Sequence, residues 1–331
     1  MFATLASGYP RPALPDDASG DDLVRAVIEE LAAAGLQILS DGALRRADPL
    51  GGIAARLQGF EIGEPVPYLG TDRTYRRPRA IHEPRWDGPV YVREWETAAA
   101  ATELPVKQVV PGPYTLGRLV DPGPLPRERL TIALADALAH ELRALVAAGV
   151  PMIQVDEDAA SLIGEDAAEQ ALFRLAHRRL TNTVADAHLT LALTGGDISK
   201  IPPSVFWDSP YRSYLVDVVT TPANWAVIAG MPGERGIIAG AADARTDEPA
   251  DRDLLVWAAL SAAALNRRGP DRVGLAPSGS LAGRSPAAAR AMIEALAEVA
   301  AETRARVLAS PELLNGPHLA DEGKERGYLP G

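Results

Sequence analysis

The sequence predicts an α/β fold: a single (β/α)8 TIM barrel over residues 1–331, with an insertion between its second and third strands. Three observations predict it. Eight short apolar runs alternate with segments of helical periodicity, the pattern of a closed parallel sheet. Those runs lack polar alternation, as strands covered on both faces must. The 29 glycines and 28 prolines sit between the periodic segments and punctuate them. A chain of 331 residues carries this architecture as one unit.

The elements follow in order. Phe2–Ser7 and Leu36–Ser40 are the first two predicted strands. Residues 60–97 then break the rhythm with prolines, arginines and aromatics, and read as an insertion over the barrel mouth. Val106–Val110 is the third strand. The helix after it spans Arg127–Ala148, where Leu130, Leu134, Leu138, Leu142 and Leu145 mark one buried stripe, and it stops at Gly149. Met152–Val155, Leu189–Leu193 and Leu215–Val219 are strands four to six. Thr221-Pro222 then starts a helix carrying Trp225 and Ile228. Gly236–Ala239 and Arg272–Leu275 complete the eight, and Ser285-Pro286 opens a helix carrying Met292, Leu296 and Val299. Residues 314–331 read as a loosely ordered tail.

Composition excludes several classes. With 44 acidic against 33 basic side chains the formal charge is −11, which repels phosphate backbones, so no nucleic-acid partner is expected. No apolar run approaches the roughly 18 residues of a membrane span, and Met1–Leu5 lacks the basic and apolar regions of a secretory signal. The expected location is the cytoplasm and the expected partner a small-molecule substrate, with a homodimer as an assembly the chain allows. The chain has no cysteine, which removes disulfides, thiolate nucleophiles and Cys-ligated zinc together. Imidazole does not replace it: His140 and His177 fall in helices, His188 starts a strand at the end away from the mouth, and His318 lies in the tail. Only His82, in the insertion, can reach the mouth, so no zinc is expected.

In such a barrel the reactive groups come from the carboxyl ends of the strands and the loops after them. The strongest candidate is Ile153-Gln154-Val155-Asp156-Glu157-Asp158, an apolar strand running into three carboxylates. Like charges this close push a pKa upward or wait for a cation, although an acid here could also simply cap the next helix. The catalytic candidates are Asp156, Glu157 and Tyr114. The substrate-binding candidates are Asp41, Arg45, Gly112, Pro113, Thr115, Asp158, Gly195, Asp197, Asp243 and Ser278. Arg45 or Arg46 could equally pair with a nearby acid. Among Arg73, Arg76, Arg77, Arg79 and Arg85 of the insertion, Arg77 is taken with His82 as a site candidate, against the plainer reading of a solvated face.

Three motifs in barrel order carry a resemblance: Ser40-Asp41-Gly42-Ala43-Leu44-Arg45-Arg46-Ala47-Asp48 with Leu57-Gln58-Gly59-Phe60, then Pro111-Gly112-Pro113-Tyr114-Thr115-Leu116, then Ile153-Gln154-Val155-Asp156-Glu157. Together they resemble the superfamily of cobalamin-independent methionine synthase and uroporphyrinogen decarboxylase, and within it the catalytic C-terminal barrel of the synthase. The resemblance implies transfer of a methyl group from a folate, with 5-methyltetrahydrofolate as donor. It also implies that Asp156 receives a substrate amino group. It implies a zinc held by His, two Cys and Glu, and there the chain departs. Ala192-Leu193-Thr194 stands where the family has His-x-Cys, the Glu position falls near Pro222, and Gly279 stands at the last Cys. The acid expected near Ala43 is missing, and Leu119 stands where an aromatic supports the pterin. The expected function is therefore a zinc-independent, methyltransferase-like transfer to a small non-thiol substrate. The alternatives are a metal-free lyase or decarboxylase of the same superfamily, and a barrel that binds a small molecule without catalysis.

Overall fold

The computed structural model describes every residue except 16, 47, 49, 72, 316, 317, 330 and 331. Ala47 of the arginine motif and four residues of the predicted tail lie outside the described residues. The strands are β1 (Phe2–Ala3), β2 (Gln58–Pro67), β3 (Thr74–Arg85), β4 (Gln108–Pro111), β5 (Ile153–Asp156), β6 (Leu189–Leu193), β7 (Ser213–Asp217), β8 (Gly236–Ala242) and β9 (Val273–Pro277). The helices are α1 (Gly20–Ala33), α2 (Gly51–Ala54), α3 (Val92–Ala99), α4 (Pro113–Leu119), α5 (Arg127–Ala148), α6 (Ala167–Thr181), α7 (Ser204–Trp207), α8 (Trp225–Gly230), α9 (Arg252–Ala264), α10 (Pro286–Ala309) and α11 (His318–Glu325).

Seven strands form one curled parallel sheet in the order β1-β9-β8-β7-β6-β5-β4. Both edges meet the segment after α1 through single bridges, Thr4 with Ile38 and Leu39 with Val106. The predicted second strand, Leu36–Ser40, is therefore two bridged residues and not a ladder. One physical reason is Gln37, whose side-chain oxygen takes the Ala3 N–H at 2.7 Å, a donor that a neighbouring backbone carbonyl would otherwise use.

The apolar strands are buried on both faces. The main core lies between sheet and helices, and a small second cluster of Ala6, Ala192, Leu215, Ile238 and Ala276 fills the inside of the curl. Ala192, Leu215 and Ile238 stand side by side in register, and Asp156 is the β5 residue paired with Ala192. Alternation with period two then turns Gln154 and Asp156 to the inside, and Lys107 with them, because Val109 pairs with Gln154.

Residues 60–97 contain an antiparallel hairpin, β2 with β3, followed by α3. Pro65, Pro67, Pro78 and Pro84 are tolerated because each strand of a two-stranded sheet is an edge. The hairpin is tied down by Tyr75, whose hydroxyl donates to Leu119 O (2.8 Å), and by paired backbone bonds between Pro78–Ala80 and Asp121.

Helix α5 has the predicted bounds, and α10 begins with Ser285 capping Ala288 N and Pro286 at its first position. Two expectations need correcting. Thr221 makes no capping bond; a single 3-10 turn, Pro222–Asn224, precedes the short α8, and Asn224 spends its side chain on Ile198 N, Gly196 O and Asp217 O. The described part of 314–331 is not a loose end: Leu319 is buried, its carbonyl accepts from the Trp257 indole (2.7 Å), and Tyr328 packs on the same indole.

Candidate active site

The three consecutive carboxylates do not share one environment. β5 ends at Asp156 and the chain turns at Asp158 and Ala159, which leaves Asp156 and Asp158 on one side and Glu157 on the other. Asp156 and Asp158 line a cavity of about 460 Å³ with Pro111, Thr115, Gly42–Leu44, Arg46 and Ser7–Tyr9, and the hairpin contributes Tyr68, Arg73 and Thr74. Three larger hollows, of about 880, 570 and 520 Å³, lie elsewhere: one between the hairpin, α5 and α6, one between α8, α9 and α11, and one between the hairpin and the start of α5. None contains Asp156 or its partners.

Asp156 accepts from Gln154 Nε2 at 2.7 Å. Burial first, and then the neighbouring Asp158 carboxylate, push its pKa up to about 7. Asp158 is held from two sides, by the Tyr68 hydroxyl and the Thr194 hydroxyl, both at 2.7 Å. Burial and that carboxylate raise the Tyr68 phenol far above its ordinary range, so it stays a donor. Arg46 also lines the cavity. Its guanidinium lies 4.5 Å over the Tyr91 ring and donates to Val109 O (2.5 Å), with Glu94 at 3.9 Å.

Glu157 is fully buried and does not line the cavity. Its oxygens accept from Tyr114 N (2.9 Å), Thr115 N (2.7 Å) and Thr115 Oγ1 (2.6 Å), and His177 Nε2 lies 2.9 Å away. Helix α4 starts at Gly112, which has no side chain to cap it, and Glu157 supplies the missing acceptor for its first amides. Gly112 is required by the same contact, since a Cβ there would stand 2.2 Å from the Glu157 carboxyl carbon. Glu157, a catalytic candidate in the sequence, thus sits outside the cavity and caps α4. Tyr114 is also turned away: fully buried, it donates to Glu169 (2.6 Å), and burial with that carboxylate raises its pKa.

The remaining candidates separate. Thr115 lines the cavity, whereas Gly112 and Pro113 shape the turn behind it. Gly195 supports the wall, because a Cβ would overlap the Asp158 carbonyl. Asp41 is buried beneath Gly42, with one oxygen on Ala43 N (3.0 Å). Arg45 turns outward to Asp21, so the inward member of the arginine pair is Arg46. Asp197 caps Ser199 N, Asp243 pairs with Arg245 at 2.9 Å, and Ser278 accepts from Ala244 N; none of the three lines the cavity. His82 and Arg77 are exposed on the hairpin away from the cavity, with His82 Nδ1 2.9 Å from Glu83 O.

Sequence reasoning missed Lys107 and Asp217, and it noted Arg73, Tyr68 and Thr194 without singling them out. Lys107 left a signal, a lysine inside the apolar run Val106–Val110; the others depend on tertiary proximity. Asp217 is a second inward acid, buried at the end of β7, and burial raises its pKa to about 6 against the bonds from Thr220.

A zinc of the kind implied by the resemblance does not fit this donor set. The chain has no thiol, Thr194 follows β6, and among the described residues no three His, Asp or Glu side chains converge on a metal position.

A family profile described as "Cobalamin-independent synthase, Catalytic domain" matches residues 19–198. Methionine synthase of Saccharolobus solfataricus is 31% identical over 148 residues, covering 44% of each chain. The 5-methyltetrahydropteroyltriglutamate–homocysteine methyltransferase of a Synechococcus strain is 35% identical over 128 residues, 38% of this chain and 17% of that one. The matched segment thus spans less than half the length of these relatives. In solved structures, the B12-independent methionine synthase of Shewanella sp. W3-18-1, in complex with selenomethionine, superposes with a TM-score of 0.81 at 19% identity, covering 93% of this chain and 98% of that one. A B12-independent methionine synthase structure from Listeria monocytogenes gives 0.72 at 15% identity, with 91% and 97% covered. At these identities the likeness is one of fold.

Proposed function

The chain belongs to the cobalamin-independent synthase catalytic-domain family, and from that premise we propose that it is a zinc-independent transferase that moves a methyl or similar small group to a small, non-thiol substrate. The observation that carries this reading is the pair Asp156 and Asp158, half-buried together on the wall of one cavity in a chain without cysteine. A free thiol with a pKa near 8.5 is only a few per cent ionised at neutral pH, and nothing in this donor set corrects that. A nitrogen or enolate nucleophile needs only positioning and a carboxylate, and Asp156 is poised near neutrality to hold an ammonium or accept its proton. The methylated-folate donor is supported by what the Synechococcus relative is named for. We read residues 36–40 as the eighth stave of the barrel and the β2–β3 hairpin as an insertion covering its mouth.

A second reading, a metal-free decarboxylase or lyase, is favoured by Arg11, Arg46 and Arg73, which line the same cavity and suit substrate carboxylates. Calorimetric titration with 5-methyltetrahydrofolate separates the two. Saturable binding is expected for the transferase; no heat at millimolar ligand would sink the folate-dependent reading. In Asp156→Asn, turnover of a substrate found by screening amines is expected to be lost, and its survival would remove Asp156 from the mechanism.

A further inference from the structure

The chain contains three lysines, and two of them, Lys200 and Lys324, are exposed. The third, Lys107, is 1% exposed inside the curl of the sheet and does not line the cavity. An ammonium in such a place is expensive unless something inside balances it. Lys107 Nζ donates to Leu5 O (2.5 Å) and to Gln154 Oε1 (2.6 Å). Gln154 Nε2 donates in turn to Ala6 O (2.5 Å) and to Asp156 Oδ1 (2.7 Å). The amide cannot be reversed: turned round, its NH2 would meet the ammonium and its oxygen would meet a carbonyl and a carboxylate. One amide dipole therefore joins a buried cation to a half-buried carboxylate on the cavity wall with consistent polarity.

We propose that Lys107 is a positioning residue that, acting through Gln154, holds Asp156 as the anion which receives a cationic ligand group. The ligand part rests on the reading of Asp156 given above; the coupling does not. The other charged or titratable groups facing Asp156 are Asp158 on its own loop, Arg46 from the loop after residue 40, and Tyr68 from the hairpin. Asp158 opposes its ionisation and Arg46 favours it, so Lys107 is the inner of two counter-charges. Burial in turn pushes the Lys107 ammonium down toward neutrality, against the pull of Asp156.

The test uses the ligand-free full chain labelled with 13C-lysine and 13C-aspartate and titrated by NMR. Three lysine side-chain signals are expected, and Lys107 is assigned by elimination with the exposed Lys200→Arg and Lys324→Arg variants. Asp156 is assigned by its absence from Asp156→Asn. The Lys107 signal is expected to inflect at the pH where Asp156 ionises. In Lys107→Met, and in Gln154→Leu, the Asp156 midpoint is expected to rise by about one unit or more. A Lys107 signal with no inflection at that pH overturns the proposal, as does an Asp156 midpoint unmoved in either folded variant. Should neither variant fold, the unsubstituted protein decides by the shared inflection alone. A packing role would leave these midpoints in place, and absence of amine binding, which would end the functional reading, leaves the titration unaffected.

Discussion

The end of β5 and the turn after it send Asp156 and Asp158 to the cavity and Glu157 to the helix behind it, so neighbours in sequence acquire unrelated chemistry. Asp156 sets a pH dependence of stability. Its pKa in the folded protein, about 7, lies above the roughly 3.9 of an unfolded chain. The folded state thus holds a proton that the unfolded state has released, and stability is full below about pH 4 and lost as pH rises through about 7. Thermal melts of Asp156→Asn across that window are expected to be flatter than wild type, with the Asn protein the more stable at pH 8; equal slopes would refute the shift. Ligand binding should run the other way. An ammonium ligand needs the carboxylate, so its affinity is expected to rise as pH passes upward through 7, which calorimetry at pH 6 and pH 8 checks. The carboxylate run was visible in the sequence as a place for chemistry. Its division was not, because the groups that claim Glu157 come from Tyr114, Thr115 and His177, residues 20 or more positions away.

At the scale of elements, α4 and the hairpin decide how well the cavity wall holds. Helix α4 borrows its cap from the β5 loop, and Gly112 leaves room for that loan. Gly112→Ala forces a methyl group into the Glu157 carboxyl, and a loss of about 2 kcal/mol or more in denaturant unfolding is expected; less than 0.5 kcal/mol would show that the contact relaxes easily. Removing the Ser285 cap of α10 is a milder change, expected to cost about 1 kcal/mol. The long leucine stripe of α5 and the Ser-Pro start of α10 were legible because propensity, periodicity and capping agree within each segment. The hairpin was legible only as an interruption. Its prolines argue against a central strand, and that two edge strands would pair and reach back through Tyr68 to Asp158 depends on contacts 90 residues apart.

Across the whole molecule, the absence of thiols makes metal content a direct test. Metal analysis of the purified protein is expected to find far less than one zinc per chain, and a stoichiometric zinc would overturn the proposed chemistry. The tail belongs to the same scale: Leu319 and Tyr328 rest on Trp257, an anchor the sequence concealed because 314–331 is short, polar and weakly periodic. What the amino-acid order settled alone was whatever depends on local pattern or on composition: the alternation of strands and helices, the lack of any thiolate ligand, the negative charge, and the acid cluster at the end of Ile153–Val155. What only the folded chain decided was which side chains share a space. Arg46 and not Arg45 faces the cavity, Tyr68 and Thr194 hold Asp158, and Lys107 reaches Asp156 through an amide, because the curl of the sheet brings strand ends together regardless of their distance along the chain.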